Sequence, residues 1–463
     1  MSANILNTIY ALSSAPGRAA ISILRLSGPK SIEVLNKLRY PSGSLISSIP
    51  SHKARLANLY DDQMRLLDKA LVLYFAQGKS YTGDDLVELH LHGSPAVVQA
   101  VMNSIKKTNL ARYAEPGEFT KRAFYNGKLD LSQVEAIRDL IDADTELQRQ
   151  AAVVGADGQN SIRFAAWRKQ ILENTSMLTA LIDFADDNEI DTTPSRLISS
   201  VKASIEKVAQ DVSTFRDQAR CSELIQSGIR LALIGAPNAG KSSLVNALVK
   251  RNASIVSDIP GTTRDVVEVG LDIQGFKVLL GDTAGIRQLK GRTEQEQIEA
   301  LGIEKALETA RQAHIVVAVL SHGQHMDANL QKQLKLLRLE GKPIVTVGNK
   351  SDLGAIENVN VQISCKTGQG LDDLVKVLGN ACQYLTIKGS DNIIGASQRI
   401  MDLIDTAVLP GLQQSVRLLD NNDVTLANAE LQLAIEGIGR ITGQGITTNE
   451  ILGVVFGSFC VGK

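Results

Sequence analysis

Cysteine is scarce in this chain, with four in 463 residues (Cys221, Cys365, Cys382 and Cys460) and no paired spacing among them. That scarcity excludes a disulfide framework and a zinc cluster, and it suits a reducing compartment. Aromatic residues make up 4% of the chain, too few for a platform that stacks single-stranded nucleic acid. The single Trp167 is expected in a helical core. No run of eighteen apolar residues occurs, so no stable membrane insertion is expected. Basic and acidic residues nearly cancel, leaving a formal net charge of −1. Without a global basic field, a nucleic acid must be held by a local patch or through a partner. The first twelve residues show neither a secretory core nor an Arg-rich amphipathic pattern.

What is present is a globular composition, 44% hydrophobic and 21% charged, on a chain long enough for two to four domains. Residues 1–128 mix short alternating strands, such as Ile21–Leu26 and Leu86–His92, with turns, and read as an α+β domain. Residues 129–225 carry apolar positions at helical spacing (Val134, Ile137, Leu140, Ile141) and read as long helices, broken near Asp186–Asn188 and at Pro194. Residues 226–382 alternate strand-like and helix-like segments, the pattern of a parallel sheet with crossover helices. The helical pattern returns over 383–463. The expected architecture is an α/β module inserted into a helical domain whose two halves pack together.

The α/β module opens with Gly235-Ala236-Pro237-Asn238-Ala239-Gly240-Lys241-Ser242, which fits G-x-x-x-x-G-K-[ST] between a strand and a helix. The glycines let consecutive backbone N–H groups point at phosphate, and the helix start adds a positive field. Lys241 would bridge the terminal phosphates and Ser242 would hold Mg²⁺, with Ser243 next to it in the same turn. Asp282-Thr283-Ala284-Gly285 follows one apolar strand and can place a carboxylate near the metal's water shell. Asn349-Lys350-Ser351-Asp352 follows another, and Ser364-Cys365-Lys366 suits the outer side of the base. The Asp352 carboxylate can accept from N1–H and the exocyclic amine of guanine, two donors that adenine does not present in that geometry. Order and spacing together point to GTP.

Hydrolysis needs a group that orients water, and the position after Asp282–Gly285 is Ile286, which cannot do so. Glu294, Glu296 and Glu299 are the carboxylate candidates downstream. In the segment Ser257-Asp258-Ile259-Pro260-Gly261-Thr262-Thr263, Thr263 is the natural second Mg²⁺ ligand. Either Arg264 or a monovalent cation held by Asn238 and loop oxygens would meet the transition-state charge.

With these motifs in place, the sequence resembles the MnmE (TrmE) family of tRNA-modifying GTPases along nearly its whole length. The resemblance also rests on Pro16-Gly17-Arg18, Ile23–Gly28, Tyr81-Thr82-Gly83-Asp84-Asp85, Leu91-His92-Gly93, Pro116-Gly117-Glu118-Phe119, Arg122–Leu131 and the ending Phe459-Cys460-Val461-Gly462-Lys463. It implies a homodimer formed through the N-terminal domain, working with the flavoprotein MnmG or its mitochondrial counterpart, which carries the FAD. The implied product is a carboxymethylaminomethyl-type or taurinomethyl-type group on carbon 5 of the wobble uridine of tRNA. A tetrahydrofolate derivative (5,10-methylene or 5-formyl) would supply the carbon and bind Arg25, Glu88, Lys128 and Lys463. The resemblance further implies K⁺ at Asn238, Ser257, Ile259 and Thr262, Mg²⁺ at Ser242 and Thr263, and Glu299 as the group that orients water.

Ser94 and Asp84 depart mildly from the family's wording, and residues 184–188 look most like fungal mitochondrial members. That favours the mitochondrial matrix over a bacterial cytoplasm. Cys460 is open between a nucleophile activated near Lys463 and a small buried residue. His90 and His92 resemble a metal pair, but an alternating strand with no third ligand better suits solvent or a hydrogen-bond partner. Lys121, Arg122 and Lys128 read as a basic cluster on a solvated face. The rival function is a regulatory GTPase of the Era type in ribosome assembly, which requires an RNA-binding KH domain where residues 393–450 instead read as helical.

Overall fold

The computed structural model describes residues 8–39, 50–183, 194–236, 238–251, 254–255, 269–281, 308–322, 328–386, 394–444, 455–457, 459 and 462. The chain divides into two compact units, Met1–Arg138 with Gly439–Lys463, and Asp139–Ile438.

The first unit is built on a six-stranded mixed sheet. Its strands are β1 (Thr8–Leu12), β2 (Ile21–Ser27), β3 (Arg55–Tyr60), β4 (Leu66–Phe75), β5 (Leu86–His92) and β6 (Ala111–Tyr113), in the order β3-β4-β5-β2-β1-β6. Only β1 and β6 run parallel. Period-two alternation sends Val87, Leu89 and Leu91 of β5 into one face, beside Ala70 and Val72 of β4. Helices α1 (Ser31–Arg39) and α2 (Pro95–Lys107) cover that face with Val34, Leu35, Leu38, Val98, Val101 and Ile105. Pro95 starts α2 where its missing N–H costs nothing.

The opposite face carries Arg25, Glu88 and His90, and Phe119 of α3 (Glu118–Tyr125) packs there against Ile9, Ala11 and Ala114. Arg122, read from the sequence as part of a solvated basic cluster, is 1% exposed and bonds to Glu118 (3.2 Å) and Asp84 (3.3 Å). His92 is 72% exposed and pairs through Nδ1 with the buried Asp68 at 2.7 Å. Phe456 and Phe459 close a satellite core with Leu131 and Val134 of α4 (Leu131–Ile141).

In the second unit, α5 (Glu146–Ala156), α6 (Gln159–Asp183) and α7 (Pro194–Ser227) precede a seven-stranded sheet. Phe164, Trp167 and Phe215 form a ring cluster with centroids 5.4–5.5 Å apart, and Trp167 Nε1 donates to Asp211 at 2.6 Å. The sheet comprises β7 (Ile229–Ile234), β8 (Ser254–Ile255), β9 (Val269–Ile273), β10 (Phe276–Leu280), β11 (Ile315–Ser321), β12 (Ile344–Asn349) and β13 (Val361–Gln362), ordered β13-β12-β11-β7-β10-β9-β8. The five strands from β13 to β10 are parallel, and β9 and β8 turn antiparallel at the edge. Helices α8 (Lys241–Arg251), α9 (Ala328–Leu339) and α10 (Leu371–Thr386) belong to the same module. Apolar runs such as Ile315–Val319 are buried because both faces of the sheet are covered.

Helices α11 (Gln398–Leu403), α12 (Leu409–Asp420) and α13 (Val424–Thr442) follow. A π turn over Ile404–Val408 joins the first two. Its cause is Pro410, which cannot donate to the carbonyl of Thr406 and crowds it. These late helices meet the early ones directly. Arg220 of α7 pairs with Asp405 at 2.8 Å, Asn160 of α6 donates to the Gly395 carbonyl at 2.7 Å, and Asn428 of α13 donates to Thr179 of α6 at 3.1 Å.

At the lower end of the sheet, the Arg230 N–H donates to His314 Nδ1 at 3.0 Å, a bond only a neutral imidazole can accept. Burial, reinforced by Arg230 and Lys342, pushes the His314 pKa below its ordinary 6.5. The unfolded chain therefore takes up the proton first, so this contribution to stability is complete above pH 6.5 and is lost as pH falls. Urea midpoints of the protein should decline below pH 6.5 more steeply than those of His314→Gln; parallel declines would refute this role.

Candidate active site

The strongest candidate site lies at the carboxyl ends of β7 and β12. Strand β7 stops at Ile234, and Gly235 follows with a φ of +156°. A Cβ on Gly235 would fall within 3.0 Å of the Val319 carbonyl oxygen of β11, so the close approach requires glycine. Asn238 adopts a left-handed φ of 63°, and Gly240 one of 97° just before α8 begins at Lys241. Left-handed residues leading into a helix start turn backbone N–H groups towards one anion site. Ala239 is fully buried in the core of the module and anchors the loop. Lys241 folds back over it, donating to the carbonyls of Gly235 (2.7 Å) and Ala236 (3.0 Å), and burial lowers its pKa. Ser242 and Ser243 are exposed in the first turn of α8, where a metal-bound phosphate would lie.

The residues read from the sequence as contacting the base are fastened to this loop. Asn349, 2% exposed at the end of β12, donates from Nδ2 to the Ala239 carbonyl at 2.9 Å and accepts the Cys365 N–H on Oδ1 at 3.3 Å. Gly240 lies so close to this amide that a Cβ there would overlap Nδ2. Lys350 has a left-handed φ of 63°, and the Ser351 N–H donates to the Ile363 carbonyl at 3.1 Å. That turn delivers Asp352 beside Ser364, whose hydroxyl donates to Asp352 Oδ1 at 2.6 Å. The Ser364 bond, helped by Lys366 and Lys350, holds the Asp352 carboxyl below its usual range. Asp352 is therefore an exposed, ionised acceptor on a fixed mount, suited to paired donors on a base edge. Cys365 is half-buried, and burial raises its thiol pKa, so it serves through its backbone N–H rather than as a thiolate.

The structure thus brings together Asn238–Ser243, Asn349–Asp352 and Ser364–Lys366. The readings on Pro237, Ser257–Thr263, Asp282–Gly285, Glu299, Cys460 and Lys463 lie outside the described residues.

A second cluster lies on the sheet of the first unit. Arg25 and Glu88 are register partners on β2 and β5, and Nε and Nη2 of Arg25 donate to Glu88 Oε1 at 3.0 and 2.8 Å. The guanidinium also sits 5.5 Å from the ring centre of Tyr81 and 5.8 Å from that of Phe119. Lys128 donates to the Gly78 carbonyl, and Ser13 Oγ donates to the Gly462 carbonyl at 2.7 Å. Sequence reasoning did not find the roles of Tyr81 and Phe119. Both occur within recognisable motifs, but nothing in the spacing says that their rings flank Arg25.

Fold and loop define a P-loop nucleotide-binding protein. Two sequence families match the chain: the N-terminus of the GTP-binding protein TrmE over residues 8–128, and the MnmE helical domain over residues 131–460, a span that includes the α/β module. The chain belongs to the MnmE/TrmE family. It is 38% identical over 498 residues to tRNA modification GTPase MSS1, mitochondrial, of Saccharomyces cerevisiae, covering 98% of this chain and 93% of that protein. It is also 38% identical over 463 residues to tRNA modification GTPase MnmE of Chelativorans sp. (99% and 98% covered). Against tRNA modification GTPase mss1, mitochondrial, of Schizosaccharomyces pombe it is 36% identical over 493 residues (98% and 95% covered).

Gly240→Ala should expel the Asn349 amide from its bond to Ala239, disturbing phosphate and base contacts together. Calorimetry should show guanine-nucleotide affinity falling by roughly 100-fold, from an orphaned buried amide plus a displaced loop; unchanged affinity would refute the contact.

Proposed function

We propose that this protein is a GTP-hydrolysing enzyme of tRNA modification. With a flavoprotein partner that supplies FAD, it builds an aminomethyl-type group on carbon 5 of the wobble uridine. The observation that carries the reading is the Asn349 bridge, which holds an ionised Asp352 at a fixed offset from the phosphate loop. The family and the printed names of its members support the tRNA as substrate. The late helices against α6 and α7 support the finer architecture, a GTPase module (226–382) inserted between helical segments 129–225 and 383–463. Among the described residues, Gln398–Asp420 and Val424–Thr442 are helical where an Era-type switch would carry its RNA-binding domain, which disfavours that rival.

In this reading Lys241 and the loop amides neutralise the charge of the triphosphate, and Asp352 selects guanine. Ser242 and Thr263 would hold Mg²⁺, and the exposed Ser242 hydroxyl at a helix start fits that role. Asn238, Ser257, Ile259 and Thr262 would hold K⁺, and Glu299 would orient the attacking water. A bound K⁺ supplies positive charge beside the transferred phosphoryl group.

The partly buried Arg25–Glu88 pair fits a tetrahydrofolate derivative: Glu88 can accept from an amino-pyrimidine edge, and Lys128 and Lys463 can meet carboxylates. The family's homodimer and the mitochondrial matrix complete the proposal, the latter supported by two mitochondrial relatives.

The test is mass spectrometry of wobble nucleosides in cells whose own copy of the gene is deleted and replaced by variants. The intact chain should restore the modified uridine. Glu299→Ala should bind GTP without turning it over, and Arg25→Ala should lose 5-formyltetrahydrofolate binding; both should leave the uridine unmodified. Unaltered wobble nucleosides in the deleted cells would reject the function.

A further inference from the structure

The two histidines that alternate along β5 find different surroundings. His92 pairs through Nδ1 with Asp68 and is otherwise open to solvent. His90 lies two residues nearer the Arg25–Glu88 pair on the same sheet face, and its side chain is 22% exposed. Its cross-strand neighbours are Leu71 of β4 and Ile23 of β2, so neither flank offers a polar side chain. Its Nε2 stands 3.6 Å from Glu88 Oε2, just beyond hydrogen-bond reach. That nitrogen is buried and has no hydrogen-bond partner among the described residues. A buried donor left without a partner is costly, and the only charged group beside it on this strand is the Glu88 carboxylate.

The carboxylate itself is half used. Arg25 donates twice to Oε1, at 3.0 and 2.8 Å, and no hydrogen bond reaches Oε2 among the described residues. Arg25 thus offsets the charge of Glu88 and leaves one oxygen free to accept. A carboxylate oxygen has two lone-pair sites, enough for one donor from a ligand and one from His90. A lone pair on Nε2 would be repelled by Oε2, so the ring carries its hydrogen on Nε2, in the neutral imidazole and in the imidazolium alike. Closing the gap takes roughly half an ångström. A ligand that covers this face removes water from it, which strengthens the attraction between the N–H and the carboxylate. We infer that His90 is a positioning residue for Glu88: its Nε2–H closes onto Oε2 when a ligand is bound and fixes the plane of the carboxylate, with the second lone pair turned to the ligand. Because Arg25 has already offset the charge, the oxygen on offer suits a neutral N–H, such as an amino-pyrimidine edge, better than an ammonium group.

This inference rests on the folate reading above, and one set of measurements separates the two. Full-length variants are titrated with 5-formyltetrahydrofolate by calorimetry, and their thermal melting is followed on the same samples. His90→Leu places an apolar side chain between Leu71 and Ile23 and removes the unpartnered nitrogen, so its melting temperature should hold or rise. Its affinity should nevertheless fall about tenfold, the worth of one charge-assisted hydrogen bond. His90→Gln keeps an N–H of similar reach and should bind within about threefold of the intact chain. Unchanged affinity in His90→Leu, or no recovery in His90→Gln, would overturn the inference. So would weaker binding accompanied by a lower melting temperature in His90→Leu, the mark of a merely structural role. An intact chain that binds no 5-formyltetrahydrofolate would instead strike the folate reading first, and this inference with it.

Discussion

One buried side-chain amide organises the nucleotide site. Asn349 donates an amide N–H to the phosphate loop at Ala239 and accepts the Cys365 N–H on its carbonyl oxygen, tying the two loops together. Each bond contributes about 1 kcal/mol, but breaking one strands a buried polar group, which costs about 1–3 kcal/mol. The consequence is geometric more than energetic. The phosphate loop and the Asn349–Asp352 turn sit on two different strand ends, and the bridge fixes their separation. Gly240 is required because the amide occupies the space a side chain would take. Ser364 completes the mount by holding Asp352 in its ionised form and in one orientation.

The rest of the second unit serves this rigidity. Apolar strands buried on both faces hold β7 and β12 on either side of β11, and Ala239 is driven into the same core. The helices before and after the module meet through Arg220–Asp405 and through Asn428–Thr179. The first unit follows a different logic. Its sheet buries one face under two helices, and the other carries Arg25, salt-bridged to Glu88 and flanked by the rings of Tyr81 and Phe119.

Much of this was legible in the sequence because the motifs are local. The run Gly235–Ser242 announces its own turn chemistry, and Asn349–Asp352 follows a strand that any alternation count would find. The order of strand and helix segments over 226–382 likewise implies the parallel sheet. Contacts between residues distant in sequence were not legible. Nothing local says that Asn349 reaches Ala239, 110 residues earlier, or that Asp144 reaches Lys277. The misreading of Arg122 has the same origin. Lys121, Arg122 and Lys128 look alike as cations, and only the folded chain shows that Glu118 and Asp84 neutralise one of them in the core. The rings of Tyr81 and Phe119 around Arg25 are a further case, since three separate segments must fold before they meet.

The central claim is that a carboxylate fixed relative to the phosphate loop selects the base. Its most direct test is the affinity of the purified protein for GTP and for ATP, measured by calorimetry in the same magnesium buffer. The account predicts that GTP binds tighter by roughly 100-fold or more, because adenine leaves the Asp352 carboxylate without its paired donors. Equal affinity for the two, or a preference for ATP, would contradict it.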